Sequence, residues 1–333
     1  MAAVVAESRN KRSLELEPSF STKLGACYQT SIEAFLESRN AADLQGRVQV
    51  VLTSPPFPLN NKKSYGNLTG QHYVDWIASL AEPLSRLIAD EGSIVIEIGN
   101  AWEPGRPVQS VLHLKALLAF LEASNANLRL CQEFICYNPA RMPSPAQWVT
   151  VERIRAVDSF THVWWFAKTD KPKADNRRVL RPYSASMQRL LATNKFNRGK
   201  RPSSHDVRDG AFAVDHGGSI TQNVFELEAI DPDRQPRLPS AFSFANTTSS
   251  DRFSRLCRER GFSPHPARMP MGLANFFIQF LSETGDLILD PFAGSNTTGF
   301  AAETNGRRWL SVEADLSFVE QARLRMELIR ENE

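Results

Sequence analysis

Ser54-Pro55-Pro56-Phe57 is the stretch of this sequence best equipped for chemistry. Two consecutive prolines fix φ and remove two backbone donors. What remains is a stiff turn presenting carbonyl oxygens and one hydroxyl. Such a cluster of acceptors suits a flat group that carries N–H donors, and the exocyclic amine of a nucleobase is one. The lone pair of that nitrogen is delocalised into the ring, so the amine is a poor nucleophile. Acceptors gripping both N–H bonds would draw it toward tetrahedral geometry and free the lone pair for attack. Phe57 is placed to stack on the base, an interaction worth about 1–3 kcal/mol per base. Four residues alone also allow a plain Pro-Pro turn that ends a strand, with Phe57 in the core.

A second stretch, Asp290-Pro-Phe-Ala-Gly-Ser-Asn-Thr-Thr-Gly299, has the composition of a ligand loop. An apolar run, Asp286 to Leu289, precedes it as a strand. Phe300-Ala-Ala-Glu follows it as a helix start, with Ser295, Thr297 and Thr298 as capping candidates. A strand, a glycine turn and a helix N-terminus together present free N–H groups and a positive dipole end. The next strand, Arg307 to Val312, ends in Glu313, an acid placed to take ribose hydroxyls. Gly294-Ser-Asn-Thr-Thr-Gly299 is neither the dinucleotide fingerprint G-x-G-x-x-G nor a phosphate loop with Gly-Lys-Ser/Thr.

These loops need elements to hold them. Val48 to Thr53 reads as a buried strand, so the Ser-Pro-Pro-Phe turn leaves a strand's carboxyl end, where open α/β sheets place their ligands. A short strand and an amphipathic helix over 31–38 come before it. Residues 72–89 read as a helix kinked at Pro83, 93–99 as a strand, 108–123 as a helix, and 128–137 and 161–168 as strands. Two adjacent tryptophans, Trp164 and Trp165, must face opposite sides of the last of these; one could line a base pocket, or both could be core. Helices at 273–282 and 316–331 close the chain. Glu97 interrupts an apolar run, and a buried carboxylate requires a partner. It could serve catalysis, a cofactor-side hydrogen bond or a structural ion pair. Asn60 to Asn67 is a polar loop beside the turn, suited either to closing over a nucleic acid or to plain solvation.

At 333 residues, 42% hydrophobic and 23% charged, the composition is that of a globular protein with one large or two modest domains. No apolar run is long enough for a membrane span or a signal peptide. Cys27, Cys131, Cys136 and Cys257 show no zinc spacing and read as reduced thiols of a cytoplasmic protein. The net charge of +2 is unremarkable, but its distribution is not. Between Lys171 and Arg208 stand eleven basic residues against Asp175 and Asp206. A basic stretch with weak periodicity between two halves of an α/β fold suits contacts to nucleic-acid phosphates.

The two loops together resemble the catalytic and S-adenosylmethionine motifs of the amino-group DNA methyltransferases. Their order, catalytic motif first, is similar to the β class. Ser at position 54 and Phe at 57 resemble the cytosine-N4 branch rather than the adenine-N6 branch. Further segments, Lys63-x-Tyr-Gly-Asn67, Trp164-Trp-Phe-x-Lys168, Arg201-Pro-Ser-x-His-Asp206, Gly217-Gly-Ser-Ile220 and His265-Pro-Ala-Arg-x-Pro270, are similar to the PvuII-type modification methyltransferases. The resemblance covers about residues 25 to 328.

That resemblance implies a Rossmann-like methyltransferase fold: a mostly parallel twisted sheet with helices on both faces, circularly ordered, plus an irregular basic recognition insert. The implied division is an N-terminal arm at 1–24, expected to be flexible, a catalytic half at 25–169, a DNA target-recognition region at 170–262 and a cofactor half at 263–333. It also implies transfer of a methyl group from S-adenosylmethionine to the N4 amine of a flipped cytosine in duplex DNA, without a metal, in a restriction-modification system with a possible partner endonuclease. Adenine-N6 transfer is the alternative. Ser54, Pro55, Pro56 and Phe57 would grip and stack the base. Glu97 stands where the family carries Asp to assist the serine in the proton path. Asp290, Phe292, Gly294, Ser295, Thr297, Thr298 and Glu313, with His265 and Pro266, would hold the cofactor. Lys63, Arg178, Arg181, Lys200, Arg201 and His205 would contact DNA. Carbon-5 methylation is disfavoured, because none of the four cysteines follows a proline. A nicotinamide-dependent dehydrogenase would lack both its glycine fingerprint and a reason for the basic stretch. A silent DNA-binding protein would have no reason to keep both motifs.

Overall fold

The structure, a computed structural model, describes residues 14–58, 68–193, 199–200, 206–207, 214–228, 242–245, 251–264 and 268–330. The chain enters its sheet through an antiparallel hairpin, β1 (Phe20–Ser21) and β2 (Gly25–Gln29). Residues 14–24, expected as part of a loose arm, are docked instead. The Phe20 ring is buried near Trp309, and the Leu16 N–H donates to Asn40 Oδ1 at 2.7 Å. Two short helices follow, α1 (Ile32–Leu36) and α2 (Arg39–Ala42), each capped by a serine hydroxyl, Ser31 and Ser38. They replace the single helix expected over 31–38.

Strand β3 (Val48–Thr53) is buried along its whole length. Helix α3 (Gly70–Leu87) runs through Pro83 and feeds β4 (Ile88–Ile98), which starts five residues earlier than its apolar core suggests. After α4 (Leu112–Leu121), β5 (Arg129–Tyr137) and β6 (Phe160–Ala167) form an antiparallel pair. Beyond these come α5 (Ala185–Thr193), the two-residue strands β7 (Gly199–Lys200) and β8 (Asp206–Val207), then β9 (Val224–Glu228) and β10 (Phe242–Ala245). The last elements are α6 (Arg252–Glu259), α7 (Met271–Leu281), β11 (Leu287–Asp290), α8 (Thr297–Thr304), β12 (Arg308–Glu313) and α9 (Leu316–Arg330).

Among the described residues one large sheet has the order β1-β2-β12-β11-β3-β4-β6-β5-β9-β10. It is parallel from β2 to β4 and again from β5 to β10; β6 runs antiparallel to both its neighbours. Side-chain alternation splits the core in two. Val50, Leu52, Val95 and Ile288 pack with Phe277, Ala301 and Ala322 of α7, α8 and α9. Val51, Ile94, Ile96 and Leu289 pack with Phe35, Ile77 and Ala116 of α1, α3 and α4 on the other face. Trp164 and Trp165 fall into opposite cores, both buried; the Trp165 Nε1–H donates to Ser93 Oγ at 2.9 Å.

The region from Lys171 was expected as an irregular recognition insert, but its first turn belongs to the scaffold. Asn176–Val179 forms a 3₁₀ turn, Val179 is buried in the first core, and β9 is a strand of the main sheet. Strand β10 likewise lies within the stretch 231–250, expected as a loop.

Candidate active site

Strands β3 and β11 are parallel neighbours, with Val50 opposite Ile288 and Val51 opposite Leu289. Their carboxyl ends therefore open on the same edge, and the two loops met first in the sequence come together there. A cavity of about 250 Å³ lies between them. Ser54, Pro55, Pro56 and Phe57 form one wall, and Asp290, Phe292, Gly294, Ser295, Thr297 and Thr298 another. Glu313, at the tip of β12, closes the floor.

The joint between the two loops is polar and buried. The Thr53 Oγ1–H donates to Asp290 Oδ1 at 2.7 Å, linking residues 237 apart. The Phe292 N–H donates to the same oxygen at 3.1 Å, and the Thr298 hydroxyl also bonds this carboxylate. Burial pushes the Asp290 carboxyl up to about 6, against the pull of these donors. Asp290 thus works as the knot between β3, β11 and the start of α8.

Helix α8 is capped by Asn296, not by the Ser295, Thr297 or Thr298 expected from residue type. The cap sits at φ 59°, a left-handed position that asparagine tolerates better than serine or threonine. Its Oδ1 accepts from the Gly299 N–H at 3.1 Å and the Ser311 hydroxyl at 2.6 Å. Gly294 is also left-handed, at φ 51°. Its N–H donates to Glu313 Oε2 at 2.7 Å, while Glu313 Oε1 accepts from the Asp315 N–H at 2.9 Å. Burial raises the Glu313 carboxyl above the usual range.

Glu97 lies near the end of β4, only 7% exposed. Its Oε1 accepts from Thr161 Oγ1 at 3.0 Å, and its carboxylate also receives the Ser54 hydroxyl. Burial pushes its carboxyl up to about 7; the two hydroxyl donors, and Arg141 more weakly, hold it from going higher. Two residues on, Gly99 lies under the Phe57 ring: a Cβ there would sit 2.6 Å from Phe57 Cδ2. Only a glycine lets the ring lie this close to the backbone.

Of the other walls, Arg268 and Met269 lie in the 265–270 segment already singled out, and those from α1 had no signal in the sequence. Ser31, Ile32 and Glu33, at the start of α1, line it because β2 ends on the same edge. Glu33 Oε1 accepts from the Trp76 Nε1–H at 2.8 Å, and Trp76 meets Phe292 edge-on at 5.5 Å. Arg268, Met269 and Phe318 complete the lining. Arg268 pairs with Asp251 at 3.0 Å and donates to Ser254 Oγ at 2.9 Å.

Of the candidate DNA-contacting residues, only Arg178 and Arg181 are described with their side chains. Lys63, Arg201 and His205, and the cofactor candidates His265 and Pro266, lie outside the described residues, as does the side chain of Lys200. Arg181 pairs its backbone with Ser219. Arg178 is engaged in the scaffold: its guanidinium donates to Ser282 O at 2.8 Å and pairs with Glu283 at 3.1 Å. It binds the carboxyl end of α7, where the carbonyls lack helical partners.

A family model described as DNA methylase matches residues 48–324 of this chain. The chain is similar to the type II methyltransferase M.PvuII of Proteus hauseri, at 36% identity over 305 residues, 91% of this chain and 84% of the relative. A solved structure of a cytosine-N4-specific PvuII DNA methyltransferase superposes with a TM-score of 0.69 at 31% identity, covering 93% of this chain and 89% of the other. The M1.HpyAVI–SAM complex shares the fold at 15% identity and a TM-score of 0.51, covering 91% and 99%. Among the described residues no group of His, Cys, Asp or Glu could hold a metal, and no helix is long and apolar enough to cross a membrane.

Proposed function

The chain belongs to the N6/N4 DNA methylase family, and from that membership we propose that it methylates the N4 amine of a cytosine flipped out of duplex DNA. The observation that carries this reading is the placement of the Ser54 loop: it shares one cavity with the Asp290–Thr298 loop and is hydrogen-bonded to a buried Glu97.

The lining fits S-adenosylmethionine. Among the described residues, Glu33, Asp290 and Glu313 place three carboxyls around the cavity, and Arg268, the one guanidinium lining it, is paired with Asp251. That balance suits a cationic sulfonium and a ribose diol and opposes a polyphosphate. When bound, the cofactor supplies an electrophilic methyl group. The chain's own residues do the rest. Gly294, Ser295, Thr297 and Thr298 seat the methionine end, and Glu313 takes the ribose. Pro55 and Ser54 grip the amine and Phe57 stacks on the ring. As the N–methyl bond forms the amine must lose a proton. The Ser54 oxygen accepts it while passing its own hydroxyl proton to Glu97. Flipping the base costs a few kcal/mol; positioning and proton removal supply the acceleration.

Lys63, Arg181, Lys200, Arg201 and His205 are the proposed DNA contacts. In the cell we infer a cytoplasmic modification enzyme whose companion endonuclease reads the same short site. Plasmid DNA methylated with labelled S-adenosylmethionine, digested to nucleosides and read by mass spectrometry, tests the base choice. N4-methylcytosine is expected. N6-methyladenine would overturn the inference drawn from Ser54 and Phe57 while leaving the methylase assignment in place.

A further inference from the structure

Arg325 of α9 is 6% exposed, and among the described residues no carboxylate lies within ion-pair distance of it. An arginine sealed in a protein core is costly unless its donors are used and its charge is met. Its donors converge on one residue of the cofactor loop. Nε donates to the Ser295 carbonyl at 2.6 Å and an Nη to the Ser295 hydroxyl at 2.9 Å. Its plane lies over Phe253 of α6, with the guanidinium carbon 3.8 Å from the ring centroid. Arg268, a wall of the cavity, approaches the same ring at 5.4 Å. Burial pulls the Arg325 guanidinium down to about 9, with Arg268 adding to the pull and Asp251 opposing it, so it stays charged at neutral pH.

Two functions of that arrangement can be separated. A structural arginine would serve any molecule in the cavity equally. An arginine acting through Ser295 would serve the one end of the ligand that Ser295 faces, and serve it best if that end carried a negative charge. We propose that Arg325 is a positioning residue for the amino-acid end of the cofactor: it fixes the Ser295 backbone and hydroxyl and places a positive potential behind them, selecting ligands that carry an α-carboxylate. This rests on the S-adenosylmethionine reading above. It assigns a role to α9, which contributes no residue of either motif. The fork geometry explains the residue type, since a lysine cannot reach both Ser295 oxygens from one planar group.

The test compares two neutral thioethers by calorimetric titration of the full chain without DNA. S-adenosylhomocysteine carries the amino-acid end; 5′-methylthioadenosine lacks it. Arg325→Met is expected to weaken S-adenosylhomocysteine about tenfold or more and methylthioadenosine less than about twofold. Arg325→Lys, which keeps the charge and loses the fork, is expected to fall between and guards against a methionine variant that does not fold. Ser295→Ala should reproduce part of the discrimination. Equal weakening of both ligands, or no change in either, overturns the inference. Failure of the wild-type protein to bind either ligand would take down the cofactor reading, and this inference with it; wild-type binding with an unaltered ratio in the variants would take down the inference alone.

Discussion

An ionised carboxylate at Glu97 has hydroxyl donors on it but almost no water. Its carboxyl is therefore lifted to about 7, where small changes of pH alter its charge. If it receives the proton passed by Ser54, kcat/KM for DNA should rise with pH through about 7 and level off above. Glu97→Gln should flatten that limb and lower the plateau by about 100-fold; a rising limb that survives the substitution would exclude Glu97 from the proton path. The same shift has a sign for stability. Because the folded form holds this proton more tightly than the unfolded chain does, stability is fullest below the unfolded value near 4.5. It declines as pH rises to about 7 and then stays lowered. Glu97→Gln should thus stabilise the fold at pH 8, by about 3 kcal/mol as an upper figure, read as a raised urea midpoint. Gly99 carries a different prediction. A methyl there must push the Phe57 ring off its seat. Gly99→Ala should weaken use of DNA about tenfold, the value of one stacked base, while calorimetric cofactor affinity stays the same.

Helices and strands bring to the edge residues that no spacing rule connects. The Ser54 loop and the Asp290 loop can each be read from sequence, because a β-branched run followed by prolines or glycine marks the end of a buried strand. Their contact could not be read: it depends on β11 lying beside β3 in the sheet, which no local pattern states. Glu33 and Arg325 were invisible for the same reason. Each sits on an ordinary amphipathic helix, and only topology sets Glu33, still exposed, at the cavity and buries Arg325 against Ser295. The cap of α8 was misread because residue type favours serine and threonine, whereas the backbone there is left-handed. Asp290 makes the joint measurable. Thr53→Val removes one of the donors on that buried carboxylate and should destabilise the fold by about 1–3 kcal/mol, with a matching loss of cofactor affinity. An unshifted urea midpoint would show that the knot does not hold the loops together.

Charge is spread across the chain so that its sum conceals its use. A net +2 coexists with eleven cations between Lys171 and Arg208, and not all of them are available to DNA. Lys173 pairs with Asp286 at 2.7 Å, Arg177 with Asp175 at 2.7 Å and Arg178 with Glu283 at 3.1 Å. Composition could find the excess but could not divide it into scaffold and surface. Salt titration of DNA binding can. Arg201→Ala should lower the slope of log affinity against log salt by about one. Arg178→Ala should leave the slope unchanged and lower the urea midpoint instead.

The strand that completes the middle of the sheet is made long after the strand it pairs with. β3 has six consecutive buried residues, and the edge it offers to β11 stays open until Leu287–Asp290 has left the ribosome. At about 5–20 residues per second, that interval is on the order of 10 to 50 s. Once β4 has paired with its other side, β3 therefore keeps one open edge through that interval, the kind of edge that recruits other chains. Ribosome-bound chains stalled before residue 287 should bind holdase chaperones, and chains released beyond α9 should not. Bringing the Ser54 and Asp290 loops together from distant parts of one polypeptide thus carries a cost in biogenesis, borne before the first methyl group is transferred.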